Sequence, residues 1–256
     1  MNFSYWTRRE WPVAHDKLER HQDRFYFVCF AALILVMIIG WIWSTDPGPS
    51  HPPIDIGGGI RLPVYVTGPV SHSWWAMIVL VLVAGTMFTC LIFSYLYLWT
   101  VNPDAWPPAG VILPSLGWPI VAMVLYAAGS ALIVFASWAL ARTPARGSWP
   151  VRLALLLAVS PMSGGFAAQL YGPWQTGLRP DANSYGAIVY TFVAVQGFFV
   201  AVMTIMALYT LARSLCGMLT GARRATFDNT MLLWHYTTAQ GLLALVTTAF
   251  FPRLLG

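Results

Sequence analysis

The side chains that could carry acid–base chemistry are few in this chain, and they avoid its long apolar segments. Its 256 residues include nine carboxylates, which are Glu10, Asp16, Glu19, Asp23, Asp46, Asp55, Asp104, Asp181 and Asp228. All of them fall in the N-terminal tail, in polar loops or at the end of an apolar segment. An acid inside such a segment would indicate proton or ion transport, because a charge in lipid is costly. We therefore predict no catalytic residue in this chain.

The histidines and cysteines do not form the pattern of a metal or haem site. His235 is the only histidine within an apolar segment, whereas haem and copper sites in membrane bundles are built from imidazoles on facing helices. We expect no metal ligand here, and we expect His235 to form hydrogen bonds or to meet lipid headgroups at the interface. The cysteines are isolated in sequence, and we interpret all three as small buried apolar residues, namely Cys29, Cys90 and Cys216.

The apolar segments do contain uncharged polar side chains, among them Gln169, Gln196, Gln240 and Thr238. Such groups form hydrogen bonds between transmembrane helices for roughly 0.6 kcal/mol each, and small residues beside them let the backbones approach. We expect these four residues to be interhelical polar contacts. A substrate path lined by the three glutamines is the alternative, although nothing in the sequence brings them together.

The composition indicates that the segments containing these residues are membrane helices. The chain is 58% hydrophobic and 9% charged, whereas soluble domains are roughly 45–50% apolar and about 25% charged. Its net charge of +5 is small and does not predict a nucleic-acid partner. Six segments are long enough to cross the hydrocarbon of a bilayer, and they are 25–44, 73–100, 118–141, 150–171, 184–213 and 229–251.

The predicted fold is therefore all-α, a polytopic membrane bundle of six transmembrane helices. A charged tail (1–24) precedes the first helix (25–44), and an irregular Pro/Gly-rich loop (45–72) separates that helix from a five-helix core (73–256). Pro119 and Pro150 suit the first turns of their helices. Asp228 or Asn229 can cap the last helix.

The basic residues indicate the orientation of the bundle. Placing the C-terminus in the periplasm puts most of the arginines between the spans on the cytoplasmic side, as the positive-inside rule requires; these are Arg61, Arg142, Arg146, Arg152, Arg213, Arg223 and Arg224. Among the residues after the first span, only Arg179 and Arg253 then lie outside. With six spans the tail also lies outside, and its five basic residues make the count seven on each side, although its acidic residues leave the tail nearly neutral; the tail residues are Arg8, Arg9, Lys17, Arg20 and Arg24. We expect a multi-pass protein of a bacterial-type cytoplasmic (inner) membrane.

Three segments resemble one known family, in the same order and with similar separations. SHSWWAMIVLVLVAGTMFTCLIFSYLYLW (71–99) resembles the third helix of cytochrome c oxidase subunit III. SYGAIVYTFVAVQGFF (184–199) resembles its penultimate helix, and FDNTMLLWHYTTAQG (227–241) its last helix with a Trp-His-aromatic motif. The sequences LPVYVTGPVSHSWW, TVNPDAWPP and FFPRL are similar to the subunit III portion of fused subunit I+III oxidases. The resemblance covers residues 71–256, with one predicted helix before it where the family usually has two.

The resemblance implies a subunit without a redox centre in a haem-copper terminal oxidase. Its implied partners are oxidase subunits I and II, which hold the haem and copper, and structural phospholipids. We expect contacts with lipid or a partner subunit at six residues, which are Trp74, Trp75, Arg223, Arg224, Trp234 and His235. The resemblance also shows departures, because uncharged residues stand where many members carry a buried glutamate, histidines or an aspartate; they are Ala84, Gln196, Phe199 and Thr238. Proton storage by those family residues is therefore not expected here.

Two other classes of protein remain as alternatives. A small-solute transporter would need an interrupted helix or an internal repeat, and the only candidate break is the stretch from Ser160 to Gly165. A cytochrome b-like electron carrier would need paired histidines, which the apolar segments lack.

Overall fold

The computed structural model describes residues 26, 28–40, 43, 54–62, 71–103, 106–108, 110–142, 149–221 and 223–254. The chain divides into two compact units, Met1–Gly68 and Pro69–Gly256. The charged tail at 1–24 lies outside the described residues, so its prediction stays a prediction.

The first unit contains a short apolar helix and a small hairpin. Helix α1 spans Val28–Gly40, within the predicted 25–44 segment, whose ends are not described. Strands β1 (Ile54–Asp55) and β2 (Arg61–Leu62) pair antiparallel, with Ile54 opposite Leu62. Three glycines in the connecting turn, residues 57–59, have positive φ angles of 93°, 66° and 79°, which side chains with a Cβ rarely adopt. Residues 54–62 of the predicted 45–72 loop thus form a short hairpin and contain no helix.

The second unit is a bundle of long helices. They are α2 (His72–Val101), α3 (Gly117–Arg142), α4 (Trp149–Gln175), α5 (Ser184–Leu215) and α6 (Ala225–Leu245), and α6 continues through a π-helical turn (Val246–Phe250) into α7 (Phe251–Leu254). Helices α3 to α6 form a closed ring in which each packs against the next and α6 returns to α3. Helix α2 packs outside this ring, on α6 and α5.

Four of the six predicted spans are confirmed as helices long and apolar enough to cross a membrane, namely α2, α3, α4 and α5. The chain therefore has the character of a multi-pass membrane protein. The 21 residues of α6 include Asp228, His235 and Gln240, and α6 is not among the four. The described part of α1 is shorter than a span.

Local signals at the helix ends were predicted with mixed success. Pro119 and Pro150 lie in the first turns of α3 and α4, as expected. The predicted cap of the last helix is wrong, because α6 already begins at Ala225 after Arg224. Asp228 instead lies within the first turn, where it pairs with the Arg224 guanidinium at 2.8 Å. A carboxylate in this turn favours the helix, because it faces the positive end of the helix dipole.

The prediction that the cysteines are buried is also wrong. Cys29, Cys90 and Cys216 are free thiols with exposed side chains. In a membrane protein an apolar sequence around a cysteine does not require burial within the protein, because the outer face of a helix meets lipid.

Candidate functional site

The interior of the α3–α6 ring holds a chain of uncharged polar side chains, which we call the glutamine cluster: Tyr126, Gln169, Gln196, Thr237 and Gln240. The Tyr126 hydroxyl donates to Gln169 Oε1 at 2.7 Å, joining α3 to α4. Gln196 Nε2 donates to the Thr237 carbonyl at 3.1 Å, and Gln240 Nε2 donates to Gln196 Oε1 at 3.3 Å, which joins α5 to α6. All five residues are buried. The structure therefore brings the three predicted glutamines into one region.

Two glycines make room for the Tyr126 ring at the centre of this cluster. A Cβ atom on Gly165 of α4 would lie 2.8 Å from the ring, and one on Gly241 of α6 would lie 2.7 Å from both the ring and Gln196 Nε2. Contacts this short do not occur at real Cβ atoms. The ring is thus held in a slot between α4 and α6, with its hydroxyl aimed at Gln169.

Sequence reasoning missed Tyr126, because an isolated tyrosine among apolar residues carries no distinctive pattern. The signal that could have found it is the run of small residues that follows it, residues 127–131. A small-residue face on one helix is where a large side chain and a facing helix can come close.

Thr238 and Trp234 are buried on α6 but lie outside this hydrogen-bonded chain. The Thr238 hydroxyl has no hydrogen-bond partner among the described residues. Trp234 is fully buried, and its Nε1 atom lies against Gly129 of α3. The expected contact of Trp234 with lipid or another subunit is therefore replaced by packing within the bundle.

His235 is half-buried beside these residues and faces α3. Its Nδ1 atom lies 2.7 Å from the Ser130 hydroxyl. This places the imidazole in a hydrogen bond between α6 and α3, and its predicted contact with lipid or a partner subunit stays a prediction. Among the described residues there is no group of three or more His, Cys, Asp and Glu side chains that could hold a metal ion.

The arginines collect at the end of the bundle where α4 and α6 begin and α3 and α5 end. Arg152 donates to the Ser214 carbonyl at 2.9 Å. Arg224 pairs with Asp228 and also donates to the Ser137 hydroxyl at 3.0 Å. The structure therefore uses Arg224 to join helices, whereas Arg223 is exposed.

The predicted tryptophan pair lies at this same end, on the first turn of α2. The rings of Trp74 and Trp75 meet edge to face with their centres 5.2 Å apart. Trp74 is half-buried, and the Trp75 side chain is exposed. Amphipathic rings of this kind favour the headgroup level of a bilayer.

The opposite end of the bundle is packed by rings, which we call the aromatic cluster: Phe88, Tyr95, Trp106, Tyr185 and Phe192. The Tyr95 and Trp106 rings lie 5.1 Å apart, and Trp106 and Tyr185 lie 5.0 Å apart. Phe88 of α2 meets Phe192 of α5 edge to face at 5.6 Å. Such edge-to-face contacts add to the free energy of burial. They also attach α2 to the bundle formed by α3 to α6.

A small cavity lies between the aromatic cluster and the glutamine cluster. It is bounded by the loop after Trp106, the last turns of α4, the first turns of α5 and the π-helical turn, and Gln169 and Tyr185 both line it. Arg253 closes the same end of the bundle, donating hydrogen bonds to the carbonyls of Ala249 and Pro114. The cavity offers about 30 Å³ to water-sized molecules.

No protein-family model matches the chain, and no curated protein matches it. The fold and the buried contacts define the class, which is a multi-pass helical membrane protein whose bundle is joined by uncharged hydrogen bonds.

Proposed function

We propose that this chain is a non-redox subunit III of a haem-copper terminal oxidase, and that it stabilises subunit I of that complex. The observation that carries the proposal is the resemblance of three ordered sequence segments to that family. They correspond to α2, the first half of α5 and α6. Oxygen reduction and proton pumping would belong to the other subunits, which would hold haem and copper.

The chemistry of the interior supports a structural role. The glutamine cluster contains amide, hydroxyl and carbonyl groups and no charged side chain. At the position where the resemblance implies histidine, Gln196 hydrogen-bonds to its neighbours on α6. Groups of this kind fix the relative positions of helices, and they do not titrate near neutral pH.

The outer surface of α2 supports a role within a larger assembly. This helix presents a row of large exposed apolar side chains, which are Trp75, Val79, Leu80, Leu82, Val83, Met87, Phe93, Tyr97 and Val101. Such a surface fits phospholipid tails or the apolar face of another membrane subunit. Subunits I and II of the oxidase are the partners we propose, in a bacterial-type inner membrane with the C-terminus in the periplasm.

The transporter alternative has less support. It needs a broken helix near the membrane centre, but α4 is continuous from Trp149 to Gln175 through Pro161. The cavity described above, at about 30 Å³, would hold only two or three molecules of water, since roughly 10–15 Å³ holds one.

Gentle solubilisation of the native membrane tests the proposal. The chain should co-purify with a much larger protein that shows a haem absorption spectrum. Deleting the chain should shorten the working lifetime of that oxidase more than it lowers the initial rate of electron transfer. Isolation of the chain alone as a stable species, or haem absorption retained by this chain after separation, would contradict the proposal.

A further inference from the structure

We propose that the cavity beside Gln169 is an internal water site that extends the glutamine cluster toward the C-terminal end of the bundle. This inference is independent of the oxidase proposal, because it rests only on the residues of this chain that line the cavity. The cavity volume of about 30 Å³ suits two or three water molecules, since a single water needs roughly 10–15 Å³.

Two prolines supply backbone acceptors at this cavity. Pro173 lines it within α4, and Pro252 follows the π-helical turn. A proline has no N–H and cannot donate to the carbonyl four residues before it. The carbonyls that lose this α-helical donor are those of Gln169 and Thr248, and both residues line the cavity.

Side chains supply the remaining polar groups. The Tyr185 hydroxyl donates to the Thr248 carbonyl at 3.4 Å, a long and therefore weak contact. Gln169 is buried, and its Oε1 atom accepts from Tyr126. A buried water is stable where two to four polar partners converge, and this cavity offers hydroxyl, amide and carbonyl groups together.

Water is the ligand that these groups favour. None of the described residues lining the cavity is charged, and most of the others are apolar, including Val189, Val193 and Leu245. An ion would therefore meet too few compensating groups. The nearby Arg253 guanidinium already donates to two carbonyls, and its positive charge would repel a cation.

Such a water would give Gln169 a polar partner on the side that faces the cavity. Gln169 both lines the cavity and accepts from Tyr126, so a water bound to Gln169 would connect the buried cluster to the end of the bundle. The arrangement assigns Gln169 as the residue that holds this water.

X-ray radiolysis with mass spectrometry tests the proposal on the full chain in its native membrane, because bound water yields hydroxyl radicals that modify adjacent side chains. Leu178 and Leu245 line the cavity, whereas Ile133 is fully buried in α3 away from it. We expect modification of both leucines in the unaltered protein, loss of that modification in Gln169→Leu, and no change at Ile133.

Two further variants separate loss of water from loss of structure. Gln240→Leu removes another buried amide of the cluster that does not line the cavity, and it should leave the modification of Leu178 and Leu245 in place. Ala168→Val narrows the cavity without removing a polar group, and it should reduce the modification of both leucines. Unmodified leucines in the original protein, or equal modification in Gln169→Leu, would overturn the proposal.

Discussion

Helices α2 and α4 are similar in length but opposite in how they use their apolar character. In the most apolar stretch of α2, 11% of the residues are buried inside the protein, against 39% for α4. Yet α2 is the more apolar of the two helices. The more apolar helix is thus the less buried one, which is the reverse of the relation in a soluble domain.

The membrane explains this difference. Lipid tails are as apolar as leucine, so burying leucine against protein yields little driving force, and helices associate through close packing and polar contacts. The buried face of α4 accordingly consists largely of small residues with one glutamine, and includes Ala154, Ala158, Gly165 and Gln169. Helix α2 has only three buried residues, which are Ala84, Phe88 and Tyr95.

Charging the narrow buried edge of α2 should produce the largest effect. Ala84→Glu places an acid at a position that is 6% exposed, and a charged side chain within a transmembrane helix costs about 2.5–3.5 kcal/mol on insertion scales. We expect a large fall in the thermal unfolding temperature in mild detergent.

Ala84→Gln provides the matched control, because it adds the same length without the charge. It should be less destabilising than Ala84→Glu at neutral pH. Equal stability of the glutamate variant and the original protein would show that α2 does not bury this edge as the structure describes.

Adding a methyl group beside the Tyr126 ring tests the deeply buried packing between α4 and α6. Gly241→Ala adds a Cβ 2.7 Å from the Tyr126 ring, and overpacking of this kind costs typically 1–3 kcal/mol. Gly164→Ala is the control, since its Cβ would meet only Leu125 Cδ1 at 3.4 Å. The unfolding temperature should fall clearly more in Gly241→Ala than in Gly164→Ala. An equal fall in both variants would argue against tight packing around the Tyr126 ring.

Removing one hydroxyl measures the polar part of the α3–α4 contact. Tyr126→Phe keeps the ring but leaves Gln169 Oε1 without its donor at 2.7 Å. Hydrogen bonds within membrane bundles contribute about 0.6 kcal/mol on average and up to about 1.7 kcal/mol, so we expect a loss in that range. Tyr97→Phe on the exposed face of α2 should change the unfolding temperature much less. A similar fall in unfolding temperature in both variants would contradict the contrast between the buried interior of the bundle and the exposed face of α2.

The long helices could be predicted from sequence because lipid imposes a simple rule on length and apolarity. The structure places α2 at His72–Val101 and α3 at Gly117–Arg142, each within about a residue of the predicted segment at either end. The start of α6 could not be predicted, because the polar residues before Met231 are typical of a loop. In the structure the Arg224–Asp228 ion pair accompanies an additional helical turn there.

The arrangement of the site was harder to predict than its members. Gln169, Gln196 and Gln240 could be singled out as polar residues in apolar segments, but their convergence depends on which helices are neighbours. That choice rests on close approaches such as Gly165 to Tyr126. The exposure of single residues was also not predictable, since Trp234 is buried and Cys90 is exposed. An apolar sequence does not distinguish a lipid-facing residue from an interior one.

The smallest expected effect lies outside the membrane-spanning segments, in the loop between α4 and α5. The Arg179 guanidinium donates to both carboxylate oxygens of Asp181, at 3.0 and 2.7 Å. These bonds hold the pKa of the Asp181 carboxyl below its usual value, because they stabilise its charged form. A lowered pKa in the folded state contributes stability above the unfolded pKa, and that contribution is lost as the pH falls through the folded pKa.

Arg179→Gln should raise the pKa of Asp181 toward its usual value in an NMR titration. The unfolding temperature at neutral pH should hardly change, since both side chains are exposed. Arg223→Gln, in the loop between α5 and α6, should leave the titration of Asp181 unchanged; an unaltered pKa in Arg179→Gln would show that the loop does not hold this pair.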